Sequence, residues 1–195
     1  MCTCYYYFAA LVKNLVLGAA VFETYCYTVE HLAPSGQDGD EYARASVPAH
    51  VVSGALGGSV HGMVGTVWEA AAGERTLHHI SLGKMTLHHS AAHATLFGSY
   101  EGLKRLFVAT SKSSDSQHQG PAYLGSVSVA GGMAGQLQYI MSHYTEQLLR
   151  LEADVSEATV VTSMRRPPVL RNFLMAFPPS AIGFIAFEYG RKVDF

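Results

Sequence analysis

Charge is scarce in this chain. Only 14% of its 195 residues are Asp, Glu, Lys or Arg, and the formal net charge is −2. A sequence this apolar does not have the composition of a disordered segment. Without a basic excess it has no electrostatic footprint for nucleic acid, and none is expected as a partner. Cysteine is equally sparse, at Cys2, Cys4 and Cys26. An odd count without regular spacing argues against a disulfide framework. Cys2-x-Cys4 has no neighbouring Cys or His to complete a four-ligand metal set. The chain also lacks G-x-S-x-G, G-x-x-x-x-G-K-[ST] and a G-x-G-x-x-G after a strand. With no nucleophile elbow and no phosphate cradle, nothing points to an enzyme, and no cofactor is expected. The opening residues carry no Arg/Ser-rich amphipathic stretch and no A-x-A site, so no removable targeting peptide is expected.

What the chain does have is length without charge. Hydrophobic residues make up 49%, yet the mean hydropathy is only +0.14. That is mild for simple greasy spans and fits helices that turn polar faces toward each other. Turn-rich polar stretches fall at Ala33 to Pro48 and Thr110 to Pro121, with shorter breaks at Gly73 to His79 and Glu152 to Pro168. Between them lie five mostly apolar segments: Tyr6 to Glu30, Ala49 to Ala72, Ile80 to Phe107, Ala122 to Leu151 and Val169 to Arg191. Each has the roughly 20 residues that a bilayer crossing takes. Gly54, Gly58 and Gly62 stand four apart, as do Gly131 and Gly135. Small residues at that spacing let helix backbones approach closely inside lipid. The expected fold is all-α, a polytopic bundle of about five membrane helices.

The chain repeats itself. Gly54, Gly58 and Glu69 recur as Gly131, Gly135 and Glu146 at a constant offset of 77. A second pattern, A-x-x-F-x-x-[YF], occurs three times: Ala19/Phe22/Tyr25, Ala94/Phe97/Tyr100 and Ala181/Phe184/Phe187. On a helix this spacing lines one face. The last two copies continue into an acid and a base, Glu101 with Lys104 and Glu188 with Arg191.

This repeated unit resembles that of the mitochondrial carrier family, in which each repeat is two membrane helices. The odd helix of that family carries G-x-x-x-G followed by P-x-[DE]-x-x-[KR], and the even helix carries [FY]-[DE]-x-x-[KR]. The segments RNFLMAFPPSAIGFIAFEYGRK (Arg171 to Lys192) and ATLFGSYEGLKRLF (Ala94 to Phe107) are the most specific matches. The resemblance implies an incomplete carrier bundle in a mitochondrial inner membrane. Residues 1–32 would be the even helix of a truncated first repeat, 48–108 a second repeat and 121–195 a third. It also implies that the polar loops face the intermembrane space, and that the carrier family's lipid, cardiolipin, is bound on the matrix side.

The departures from the family are specific. Where a carrier has Pro, acid and base at its matrix gate, this chain has Val67, Glu69 and Ala72, then Tyr144, Glu146 and Leu149. Without Pro the kink loses its usual cause. Without the bases Glu69 and Glu146 need other partners, since an unpaired buried carboxylate is costly; Arg150 stands one position late for Glu146. The cytoplasmic-side motif is retained as Tyr100, Glu101 and Lys104 and as Phe187, Glu188 and Arg191. In the first span it has become Tyr25, Cys26 and Val29. Carriers contact substrate nine positions before the motif Phe. Those positions here are Lys13, His88 (with neighbouring His89) and Met175, and Met175 cannot hold an anion.

The run HHISLGKMTLHH gathers His78, His79, His88 and His89. Imidazole is a common ligand, but no second cluster of Cys or acids stands beside the run, so packing or interfacial roles are expected and no metal is assigned. Taken together, the resemblance and its losses imply a non-transporting structural subunit of a large inner-membrane assembly, such as a respiratory complex or ATP synthase. Its partners would be other subunits and membrane lipids. The alternatives are a working transporter completed by oligomerisation, and a helper in membrane insertion or lipid organisation.

Overall fold

A computed structural model describes residues 2–33, 45–72, 82–110, 121–151 and 169–190. Among them there are helices and no strand: α1 (Cys2–Leu32), α2 (Val47–Ala71), α3 (Leu82–Thr110), α4 (Pro121–Leu151), α5 (Leu170–Met175) and α6 (Phe177–Gly190). The described parts of the five apolar segments are therefore helical, the last of them in two pieces.

Local chemistry sets several of the ends. Ser46 caps α2: its backbone is extended (φ −70°, ψ 155°) and its Oγ accepts from the Ala49 N–H at 3.3 Å. Pro48 follows in the first turn, where a missing N–H costs nothing. The break between α5 and α6 has a comparable cause. Pro178 and Pro179 have no N–H to offer the carbonyls of Leu174 and Met175, and their rings crowd that turn. The chain passes through Ala176 (φ −73°, ψ −22°), whose N–H bonds back to Asn172 at 3.0 Å, and then resumes as α6.

Several helix hydroxyls are satisfied within their own helices. Thr24 and Thr28 donate to the carbonyls of Ala20 and Thr24 at 2.7 Å, and Thr66 donates to Gly62 at 2.7 Å. Such back-bonding lets a polar side chain sit on an apolar helix without an external partner.

The chain divides into two compact units, Met1–Ala94 and Thr95–Phe195, and the division falls inside α3. In the first unit, α1 presents a stripe of one residue per turn, Leu17, Val21, Tyr25 and Val29, each at most 4% exposed. It packs on α2 where Gly57 and Gly65 leave room: a Cβ at Gly57 would lie 3.0 Å from the Val21 carbonyl oxygen. A second glycine stripe on α2 meets the backbone of α3. A Cβ at Gly54 would lie 2.6 Å from the His93 carbonyl oxygen, one at Gly62 would lie 2.7 Å from Thr86 Cα, and one at Gly58 would collide with the His89 carbonyl. Backbone-to-backbone approach of this kind requires residues without side chains.

In the second unit the glycines of α4 accept side chains instead. A Cβ at Gly131 would lie 2.9 Å from Phe184 Cβ, while Gly132 faces the Phe177 ring and Gly135 faces the Ser180 side chain. Phe184 also stacks on Tyr100, with centroids 3.7 Å apart and an angle of 15°.

Two helical segments are long and apolar enough to cross a membrane, 25 residues at Phe8–Leu32 and 21 at Leu170–Gly190. Only 17% and 11% of their most apolar stretches are buried within the protein, whereas the core helix of a soluble protein is mostly covered. α2, α3 and α4 have spanning length, at 25, 29 and 31 residues, but fall short of that apolarity.

Candidate functional site

Among the described residues, polar side chains gather within each unit. In the second unit they centre on Glu188 of α6, which is 3% exposed. Its Oε1 accepts from the Tyr100 hydroxyl at 2.7 Å and from Lys104 Nζ at 2.9 Å, and its Oε2 accepts from the Tyr123 hydroxyl at 3.0 Å. Lys104 reaches Glu101 Oε2 as well, at 2.7 Å, and Arg105 Nε donates to Glu101 Oε1 at 2.8 Å. Glu101 is 2% exposed. Among the described residues the cluster sets two carboxylates against two cations, and pairing of this kind is what burial of charge demands. Lys104 Nζ also lies 5.1 Å from the centre of the Tyr100 ring, an added cation–π contact.

The helical period produces this arrangement. Tyr100 and Lys104 are one turn apart on α3, so both point at the same stretch of α6, while Glu101 lies next to Tyr100 and catches Lys104 and Arg105 from its own helix. The structure thereby brings together Tyr100, Glu101, Lys104 and Glu188. Phe187 is half-buried and meets Phe184 edge-on at 6.5 Å. Arg191 lies outside the described residues.

In the first unit, Glu69 forms an ion pair with Lys13 of α1 (2.8 Å), both side chains being about one-fifth exposed at 20% and 22%. The partner of Glu69 thus comes from 56 residues away rather than from the motif position at Ala72. Glu146 is exposed on α4, and the Arg150 side chain lies outside the described residues. Tyr25, the counterpart of Tyr100, has its hydroxyl 2.7 Å from Nδ1 of His50.

The positions equivalent to substrate contacts separate. Lys13, His88 and His89 fall in the first unit. Met175 is exposed at the end of α5. His78 and His79 lie outside the described residues. His89 instead joins His61 of α2 and His93 of its own helix, and one ring nitrogen from each of the three lies within 4.8 Å of the others. His61 and His89 stack at 4.3 Å, and His61 and His93 tilt at 5.1 Å. Two local signals in the sequence announce this group: His89 and His93 are one helical turn apart, and His61 precedes Gly62 in the stripe that meets α3.

Comparison of the chain with protein-family models, with curated proteins and with solved structures finds no match.

Proposed function

We propose that this chain is a carrier-like helical protein of the mitochondrial inner membrane that no longer transports, and that it serves as a structural subunit of a larger membrane assembly. The observation that carries the reading is the cluster around Glu188. Tyr100 and Lys104 of α3 and Tyr123 of α4 converge there on the buried carboxylate of α6, and so tie the three helices together.

Alternating access needs two states of similar free energy, each held by its own contacts. Opening this end would expose Glu188, Glu101 and Lys104, and the compensating contacts would have to form elsewhere. The residues where a carrier gate would close, Val67 with Ala72 and Tyr144 with Leu149, provide no ion pair. Glu69 is held by Lys13. The balance of contacts therefore favours one state, which suits a scaffold and not a transporter.

The outward faces support membrane residence and partners. Phe8, Leu11 and Leu15 on α1, and Leu174 and Ile182 on α5 and α6, are each more than half exposed. Apolar surface of this kind is stable against lipid or another membrane helix. The test is reconstitution. Purified protein in liposomes is expected to give no saturable uptake of nucleotides, phosphate, carboxylates or amino acids above empty vesicles. Saturable uptake of any of them would overturn the proposal and favour a transporter.

A further inference from the structure

We propose that His61, His89 and His93 form a binding site for one divalent transition metal ion of the zinc type, which ties α2 to α3. This rests on the geometry of the first unit and is independent of the role proposed above.

Three independent features point to a ligand. The first is the donor set. Three neutral imidazoles are a recurrent first shell for zinc and its neighbours, and they leave a fourth position for water, hydroxide or another anion. The second is the tautomer. Nδ1 of His93 lies 2.9 Å from the His89 carbonyl oxygen. A carbonyl can only accept, so Nδ1 carries the proton and Nε2 is left with its lone pair. This is the outer-shell arrangement that fixes a metal-binding histidine. The third is an unmet need: Nδ1 of His61 is buried and has no hydrogen-bond partner among the described residues. A buried ring nitrogen without a partner costs free energy, and a metal ion would satisfy it.

The scaffold is suited to the task. His89 and His93 share a face of α3, one turn apart, the same device that places two ligands on one helix in many zinc sites. His61 is delivered by the close contact at Gly58 and Gly62, where α2 lies against the backbone of α3. Bonds of about 2.0–2.1 Å in a tetrahedron put ligand nitrogens about 3.4 Å apart. The three ring nitrogens now lie within 4.8 Å of one another, so coordination requires them to close toward that separation. Lys13 lies within electrostatic reach of His61, and so does Glu69, which neutralises it.

The experiment uses the full chain, purified in detergent without a histidine tag, stripped with chelator and titrated with Co(II). The expected result is one equivalent bound, with the visible absorption bands of tetrahedral cobalt, displaced by Zn(II). His61→Gln and His93→Gln should each weaken binding by more than the roughly 10–100-fold that loss of an outer-shell partner costs. His89→Cys should keep the ion and add a sulfur-to-cobalt charge-transfer band. That gain of signal separates ligation from mere misfolding. The double change His78→Gln/His79→Gln should leave binding unaltered. The proposal is overturned if no cobalt binds, if His89→Cys gives no new band, or if binding is lost with His78 and His79 and not with His61 and His93.

Discussion

Lys104 Nζ stands between two buried carboxylates, 2.7 Å from Glu101 and 2.9 Å from Glu188, and so joins α3 to α6 at one point. The two acids are not equivalent. Glu101 also holds Arg105, whereas Glu188 also holds the Tyr100 and Tyr123 hydroxyls. Lys104→Met should therefore cost about 3–5 kcal/mol, the range for a buried pair broken on one side. Adding Glu188→Gln should cost less in the Lys104→Met background than in the wild type, because the two side chains pair directly. A double-mutant cycle on reversible unfolding in mixed micelles measures the coupling. Simple additivity of the two changes would mean that the pair is not formed.

The glycines of α2 and α4 make a second, comparative prediction. Gly58 faces a backbone carbonyl, which cannot move without shifting a helix, whereas Gly132 faces the Phe177 ring, which can turn aside. Gly58→Ala should destabilise by about 1–3 kcal/mol, as overpacking does, and Gly132→Ala by less. Thermal unfolding of the two variants side by side checks the order.

The Lys13–Glu69 pair links α1 to α2 and is only partly covered. Lys13→Met should cost about 1–2 kcal/mol, between the values for an exposed and a buried pair. The charge-reversed double variant Lys13→Glu/Glu69→Lys should restore most of it, whereas Lys13→Glu alone, which sets two acids together, should be the worst of the three. Denaturant titration of the set reads this directly.

The break at Ala176 is assigned to the two prolines after it. Replacing both, Pro178→Ala/Pro179→Ala, should let α5 run into α6 and raise the helical signal in circular dichroism. An unchanged spectrum would place the cause of the break elsewhere.

Local pattern carried much of this structure. The lengths of the apolar segments between the turn-rich stretches announced α1 to α4, because runs of that length and composition favour helix. The Gly54/Gly58/Gly62 stripe was legible because helix spacing turns it into one face. Tyr100, Glu101, Lys104 and Glu188 were legible because their motif repeats. Three features were not. Tyr123 enters the Glu188 cluster from α4 with no motif around it. The partner of Glu69 is 56 residues away, and long-range pairing leaves no local trace. Nearness in sequence gathers His78, His79, His88 and His89, but the helical period brings together residues one turn apart. That period sets His89 with His93, and the α2–α3 contact supplies His61.

The proposed structural role requires that this protein reside in a large assembly. The direct measurement is gentle detergent extraction of mitochondrial membranes, native electrophoresis and location of the chain by mass spectrometry, with its stoichiometry to co-migrating subunits. The structural role predicts co-migration with one very large respiratory or ATP-synthase assembly at a fixed ratio. Migration of the chain alone, or as a small oligomer, would contradict it.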